Sequence, residues 1–294
     1  MPEKPEWLRK RLPTGKIAQE IEADLMKGSL HTICQEGCCP NQGECFSRGV
    51  ATFLIMGNVC TRNCRFCAVT SGRPKPLDDE EPARLAGEIH KMKLRFVVIT
   101  SVTRDDVPDG GADHFVEVIQ AVRQTCPGVG IEVLIPDFQG STSALEAVIK
   151  AKPEVLNHNV ETVPRLFRHV RPMGNYEQSV ALLKKAKEID QSMITKSGLM
   201  VGLGETLEDI VNVMDDLRNA GCDILTMGQY LRPSKNHYPV YEYVHQDVFT
   251  AYKKLAYEKG FKHVAAGSFV RSSYKAEESY KKALDFRKEK GDMA

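Results

Sequence analysis

From residue 50 onward, short apolar runs alternate with segments whose apolar residues recur at helical spacing. The runs Ala51 to Met56, Phe96 to Ser101, Ile131 to Ile135, Val155 to His158, Thr195 to Val201 and Ile224 to Gly228 read as strands. Between the last two, Leu207, Ile210, Val211, Met214 and Leu217 fall on one helix face, and Thr206 with Asp209 three residues on resembles a capping box. The strands are continuously apolar rather than alternating, as a parallel sheet covered by helices requires. The pattern predicts an α/β fold, a partial (β/α)6 barrel of TIM type over residues 50–261. Residues 1–49 and 262–294 then form N- and C-terminal extensions packed on it.

Such barrels place their chemistry at the C-terminal ends of the strands. Polar residues bunch at those predicted ends: Gly57 to Cys67, Ser101 to Asp106, Pro136 to Gln139 and Asn157 to Thr162. Composition then removes several classes of function. With 42% hydrophobic and 27% charged residues in 294, the chain has material for a sizeable core and is not of the disordered class. Forty Lys and Arg against 39 Asp and Glu leave no global field for a nucleic acid or an anionic membrane. The longest apolar runs fall well short of the ~18 residues of a membrane span. The basic N-terminal stretch with Lys4, Arg9, Lys10, Arg11 and Lys16 is followed by no apolar secretory segment. The expectation is a cytoplasmic chain without nucleic-acid or membrane partners. The basic stretch suits an acidic carrier, and Trp7 and Leu8 equally suit a clamp onto the barrel.

Other features have plain readings. The eight histidines are scattered, with no H-E-x-x-H pair. Asp78 to Glu81 complements the start of the following helix, and alternating Lys and Glu over residues 275–294 form a solvated helix face. Cys126 and Cys222 read as buried thiols. Arg104-Asp105-Asp106 stands at a strand end, which favours a functional role over a surface salt-bridge cluster.

The remaining seven of nine cysteines are grouped, four between Cys34 and Cys45 and three between Cys60 and Cys67. An odd count in a long chain of this kind favours metal ligation over disulfides. Cys60, Cys64 and Cys67 are spaced C-x3-C-x2-C just after the first strand. A closed zinc site wants a fourth Cys or His at finger spacing, and none follows. A 4Fe-4S cluster on three thiolates keeps one iron open to a molecule carrying an amine and a carboxylate.

With Phe66 directly before the last Cys, this motif resembles the signature of the radical S-adenosylmethionine (SAM) superfamily. The resemblance implies a partial β/α barrel in which the open iron binds SAM. One electron from the cluster then cleaves the sulfonium to a 5'-deoxyadenosyl radical. Upstream, Cys34, Cys39 and Cys45 are spaced C-x4-C-x5-C, which resembles the lipoyl synthase family. There the three cysteines hold an auxiliary 4Fe-4S cluster, and the fourth ligand is the second serine of Arg-Ser-Ser-Tyr. That motif is present as Arg271 to Tyr274, which makes the ligand Ser273. The likeness runs from Pro5-Glu-Trp-Leu-Arg-Lys10 through Ser101 to Ala112, Asn157 to Thr162 and Gln229 to Pro233. Cys38 departs from the family pattern. Cys39 precedes Pro40-Asn41 as in the family and is the assigned ligand, with Cys38 a bystander. The structural alternative for Ser272 and Ser273 is a cap on a helix over Tyr274 to Leu284.

The resemblance implies a radical SAM sulfurtransferase with two 4Fe-4S clusters. It would insert sulfur at C6 and C8 of a protein-bound octanoyl-lysine and consume the auxiliary cluster as sulfur donor. Unactivated methylene hydrogens are too weakly acidic for any side-chain base, so a radical abstractor is needed. Implied partners are octanoylated carriers such as the glycine cleavage H protein and the lipoyl domains of 2-oxoacid dehydrogenase E2. An electron donor such as ferredoxin or flavodoxin and an iron-sulfur cluster carrier are implied as well. Gly198 to Glu205, with Met200, resembles the superfamily's G-x-I-x-G-x-x-E segment near adenine. Asn159 and Glu161 are candidates for the ribose hydroxyls, and Arg171 and Lys196 for the methionyl carboxylate, or each is a salt-bridge member. A biotin-synthase-like sulfur inserter or a methylthiotransferase would not carry both the upstream triad and the downstream serine motif. A non-enzymatic iron-sulfur or zinc scaffold is the reading from a different class.

Overall fold

A computed structural model describes residues 3–9, 16–47 and 50–290; Lys10 and Arg11 of the basic stretch and the last four residues lie outside the described residues. Two units form, one of Lys10–Asn63 and Cys67–Pro153, the other of Met1–Arg9, Cys64–Phe66 and Glu154–Ala294. Among the described residues, no helix is long and apolar enough to cross a membrane.

In the first unit, β1 (Thr52–Ile55), α1 (Glu81–Lys91), β2 (Phe96–Ser101), α2 (Ala112–Thr125), β3 (Gly130–Leu134) and α3 (Thr142–Lys150) follow in β/α order. β1 and β2 pair in parallel with Thr52 beside Val98, and β2 and β3 with Phe96 beside Gly130. His31–Thr32 adds an antiparallel edge to β1. The strands bury Phe53, Ile55, Val97, Ile99 and Val133, and the helices lay Leu85, Ile89, Phe115 and Val118 into the same core. The acidic run before α1 departs from its expected role. Asp78 accepts from the Glu80 amide and pairs with Arg84, but Glu81 turns inward. Its Oε2 accepts the Met56 amide at 2.8 Å and lies 2.7 Å from Nε2 of buried His114. Met56 has φ +66, so this carboxylate holds an unfavourable backbone turn where β1 ends and the first cysteine loop begins.

The second unit runs through β4 (Val155–Asn157), α4 (Tyr176–Ile189), β5 (Ile194–Val201), α5 (Leu207–Asn219), β6 (Ile224–Gln229), α6 (Gln246–Glu258), β7 (His263–Gly267) and α7 (Ala276–Lys290). All four strands pair in parallel, in chain order. Thr206 and Asp209 make the capping box on α5, whose buried face is Ile210, Val213, Met214 and Leu217. Leu207, expected on that face, is 60% exposed because it sits in the first turn, and Val211 is only half-buried. β7 was not apparent from the apolar pattern; it pairs along β6 from His263 beside Ile224 to Gly267 beside Gly228. Near the N-terminus, Leu8 is fully buried and the Trp7 ring meets His245 edge-on at 6.0 Å, as a clamp requires.

At the N-terminal end of these strands, buried Asp223 gathers Lys187 at 2.6 Å, Lys262 at 2.9 Å, Arg287 at 3.1 Å and the Thr195 amide at 3.0 Å. Thus α7 is not solvated throughout. Lys281–Glu277 and Lys282–Glu278 pairs line its outer face, but Arg287 reaches inward. Burial alone would raise the Asp223 carboxyl, yet Lys187, the Thr195 amide and Arg287 outweigh it and hold the group below the ordinary 3.8. A carboxyl that binds its proton less tightly folded than unfolded stabilises the fold above the unfolded value, and that contribution fades as pH falls through the folded one. Asp223→Asn is expected to cost about 3 to 5 kcal/mol, the scale for removing one partner of a buried ion pair. Urea midpoints at pH 7 and pH 4 test this. The variant should lose stability at pH 7 and show a shallower acid decline than the parent; parallel declines would assign the acid sensitivity elsewhere.

Candidate functional site

The first unit carries two groups of thiols. Thr32 caps the short helix Ile33–Glu36 by accepting the Gln35 amide on its hydroxyl, which sets Cys34 in a buried position. The chain then turns back on itself: the Cys39 amide donates to the Cys34 carbonyl at 3.0 Å, and Gln42 to the Cys39 carbonyl at 3.2 Å. Helix Gln42–Ser47 brings in Cys45. Burial pushes the Cys34 thiol up to about 12, and negative charge on Cys39 and on Cys45 pushes in the same direction. Cys38 is exposed, at φ +50. One buried thiol grouped with two half-buried ones makes a donor set that suits an iron-sulfur cluster. Among the described residues, no three His, Cys, Asp or Glu side chains converge closely enough to hold a single ion.

Asn58 Nδ2 donates to Glu36 Oε1 at 3.2 Å, and His31 Nδ1 lies 3.2 Å from the same oxygen, which ties the helix of Cys34 to the loop after β1. That loop contains Cys60, whose Sγ accepts the backbone amides of Arg62 at 3.4 Å and Thr103 at 3.3 Å. Two backbone amides aimed at one sulfur are contacts that suit a cluster ligand, so Cys60 also fits that role. Thr61 closes the register: its amide and hydroxyl both donate to the Thr103 carbonyl, and its Oγ1 accepts the Asp105 amide. Arg62 is buried between Asp105 and Asp137. The sequence singles out Asp105, within Arg104-Asp105-Asp106, but neither Arg62 nor Asp137. The available signals were a cation inside the cysteine motif and an acid in the polar stretch Pro136 to Gln139. Arg104 pairs instead with Asp106 at 2.8 Å.

The second unit holds the other candidates. Cys64 and Phe66 flank Arg65, whose amide donates to the Val170 carbonyl at 2.9 Å and whose carbonyl accepts the Tyr238 amide at 2.7 Å. Phe66 and Met200 pack, partly buried, against the apolar core of this unit. Beyond β4, the Val160 amide donates to Ser197 Oγ and the Glu161 amide to the Gly198 carbonyl at 3.0 Å. This stitches the Asn159 to Glu161 stretch onto β5. Glu161 sits at φ +68, a conformation that costs a non-glycine residue about 1 to 3 kcal/mol. Its carboxyl accepts Asn159 Nδ2 at 3.1 Å; burial raises it, against the pull of Arg171 and Asn159. Asn159 Oδ1 is buried with no hydrogen-bond partner among the described residues. A Cβ on Gly198 would stand 2.9 Å from that oxygen and 2.5 Å from Thr226 Oγ1, so only glycine fits there. Arg171 donates to the Asn159 carbonyl at 3.0 Å and lies over the Phe167 ring at 5.2 Å. Lys196, one residue before Ser197 on β5, is fully buried. The orphan acceptor, a strained acid and two buried cations make a donor set that suits a ligand with hydroxyl and carboxylate groups.

Glu205 clamps the glycine segment, accepting the amides of Gly202 at 2.5 Å and Leu203 at 2.9 Å. The serines do not cap α7, because the helix starts at Ala276 after Lys275 at φ +53; Ser273 is half-buried in the turn before it. Cys126 and Cys222 are buried thiols, with Cys222 pushed up to about 12 by burial.

Residues 54–217 match the radical SAM superfamily. Among solved structures, methylornithine synthase (PylB) is similar at TM-score 0.54 and 16% identity, covering 72% of this chain and 70% of its own. HydG, a maturase of the FeFe-hydrogenase, is similar at TM-score 0.58 and 17% identity, covering 78% and 54%. These likenesses show the fold: α/β with a mostly parallel sheet, of the partial-barrel type. Lipoyl synthase of Caldanaerobacter subterraneus subsp. tengcongensis is 56% identical over 93% of this chain and 96% of its own length. Lipoyl synthases of Caldicellulosiruptor saccharolyticus, at 53% over 95% and 98%, and of Chromobacterium violaceum, at 54% over 93% and 87%, are similarly related. With that identity sustained over nearly its whole length, the chain belongs to the lipoyl synthase family of the radical SAM superfamily.

Proposed function

We propose that this lipoyl synthase divides its chemistry between two thiol triads, Cys60, Cys64 and Cys67 for a SAM-cleaving 4Fe-4S cluster and Cys34, Cys39 and Cys45 with Ser273 for a second. When bound, the first group with SAM supplies the radical that removes hydrogen from C6 and C8 of octanoyl-lysine, and the second supplies the sulfur. The observation that carries this division is geometric: the Cys39 amide returns to the Cys34 carbonyl while Cys38 is exposed at φ +50, and Asn58 ties the helix of Cys34 to the loop of Cys60. Residues 1–49 serve as the extension that brings the auxiliary thiols, 50–261 as the radical SAM barrel, and 262–294 as the extension that brings Ser273.

The remaining roles follow from side-chain chemistry. Asn159, with its unpartnered acceptor, and Glu161 receive the ribose hydroxyls of SAM, while Arg171 and Lys196 supply charge for its carboxylate. Met200 and Phe66 give the site apolar walls. Oxygen is a harder ligand than thiolate for iron in a sulfide-bridged cluster, which makes the Ser273 position the weak point where an iron leaves. The octanoylated carriers are the glycine cleavage H protein and E2 lipoyl domains, in the cytoplasm. Electrons come from a ferredoxin or flavodoxin, and an iron-sulfur carrier restores the spent cluster.

Cys39→Ala is expected to leave reductive SAM cleavage intact while thiolation drops below detection; Cys64→Ala should lose both. Mass spectrometry of an octanoylated carrier peptide, with 5'-deoxyadenosine measured in parallel, separates these results. Dithiolated product from the Cys39 variant removes that residue from the auxiliary site, and full product from Cys38→Ala is expected. Ser273→Cys should keep about eight irons per chain on the two-cluster count and slow sulfur insertion about tenfold or more. Undiminished turnover would dismiss the weak-point role.

A further inference from the structure

The Arg62 guanidinium is 7% exposed and is gripped from both sides. Nε and Nη2 donate to Asp105 at 2.7 and 2.9 Å, and Nη1 and Nη2 donate to Asp137 at 2.6 and 2.7 Å. Two bidentate forks on one guanidinium leave it no rotational freedom. The carboxylates are themselves fixed. Asp137 accepts the Gln139 amide at 3.1 Å in the turn after β3, and the Asp105 amide is bound to Thr61 after β2. The backbone of Arg62 is held too, since its carbonyl accepts Ser71 Oγ at 2.9 Å. Buried ion networks contribute little net stability over apolar packing, so what this one provides is geometry.

That geometry ends on sulfur. The Arg62 amide donates to Cys60 Sγ at 3.4 Å, beside the Thr103 amide at 3.3 Å. We propose that Arg62 is a positioning residue: anchored by Asp105 and Asp137, it aims its own amide at the Cys60 sulfur and thereby raises the reduction potential of a cluster held there. The physical basis is that a donor facing a cluster sulfur favours the more negative, reduced state. This rests on the reading of Cys60 as a cluster ligand. The side chain touches neither substrate nor SAM on this account. It acts through the direction of one peptide N–H, set by carboxylates in the loops after β2 and β3.

Redox titration of the reconstituted enzyme, followed by electron paramagnetic resonance of the SAM-binding cluster, tests it. Asp137→Asn removes one fork while Asp105 still pairs with Arg62. It should keep the parent's iron content and move the midpoint potential to a more negative value, with a slower yield of 5'-deoxyadenosine at fixed reductant. Arg62→Lys keeps the charge without the forks, and it should shift the potential in the same direction rather than rescue it. A lowered melting temperature with unchanged potential and spectrum in both variants would mean a structural salt bridge only and overturn the inference. Should either variant fold poorly, amide hydrogen exchange on the unaltered apoprotein decides: the Arg62 amide is expected to be protected, and free exchange overturns the inference. A parent that binds no SAM-responsive cluster at all would instead fail the reading of Cys60.

Discussion

A parallel ladder buried on both faces leaves its polar work to the edges. In each unit the strands pair in register and in chain order, so every loop that follows a strand emerges along one edge, and every residue that precedes one lies along the other. The two edges carry different chemistry. In the first unit the outgoing edge holds Cys60, Arg62, Asp105 and Asp137, in sequence terms more than seventy residues apart but joined by hydrogen bonds. In the second, the outgoing edge holds Asn159 and Glu161, and the incoming edge holds Asp223 with its cations. The incoming arrangement gathers three cations on one acid and stabilises the fold; the outgoing one has, among the described residues, an acceptor without a partner and an acid in a strained backbone, which a ligand can satisfy.

Charge inside these units is managed by crowding rather than by solvent. Cys34 is raised first by burial, with Cys39 and Cys45 pushing in the same direction. Arg62 solves the opposite problem, one cation held by two acids. Glu81, beneath the start of the cysteine loop, does the same on a smaller scale with an amide and an imidazole. In each case a polar group inside the fold is spent on directing backbone: the turn at Met56, the amide of Arg62, the glycine segment held by Glu205.

The strands that were legible in the sequence are those with branched or aromatic runs, such as Phe96 to Ser101 and Ile224 to Gln229. β7 reads His-Val-Ala-Ala-Gly, too little apolar mass to stand out, and it is a strand because β6 offers it an unpaired ladder. The thiol triads were legible because spacing is itself the signal. Their supports were not. A charged residue such as Arg62 or Glu81 looks solvated in one dimension, and only the strand order reveals that its partner lies on the next loop or helix. Gly198 lies in the glycine segment that resembles one near adenine, but the atoms it makes room for, Asn159 Oδ1 and Thr226 Oγ1, come from the loop after β4 and from β6.

The last residue before Gln229 on β6 is Gly228, and a Cβ placed there would stand 2.1 Å from the Val270 carbonyl. The chain that leaves β7 therefore lies directly against the end of β6, and Ser273 follows only three residues later. The segment bearing Ser273 is thus anchored at its root against β6, and only the turn between Val270 and the start of α7 lies beyond that anchor. A hydroxyl on so short a tether has a small reach, set by where β6 ends.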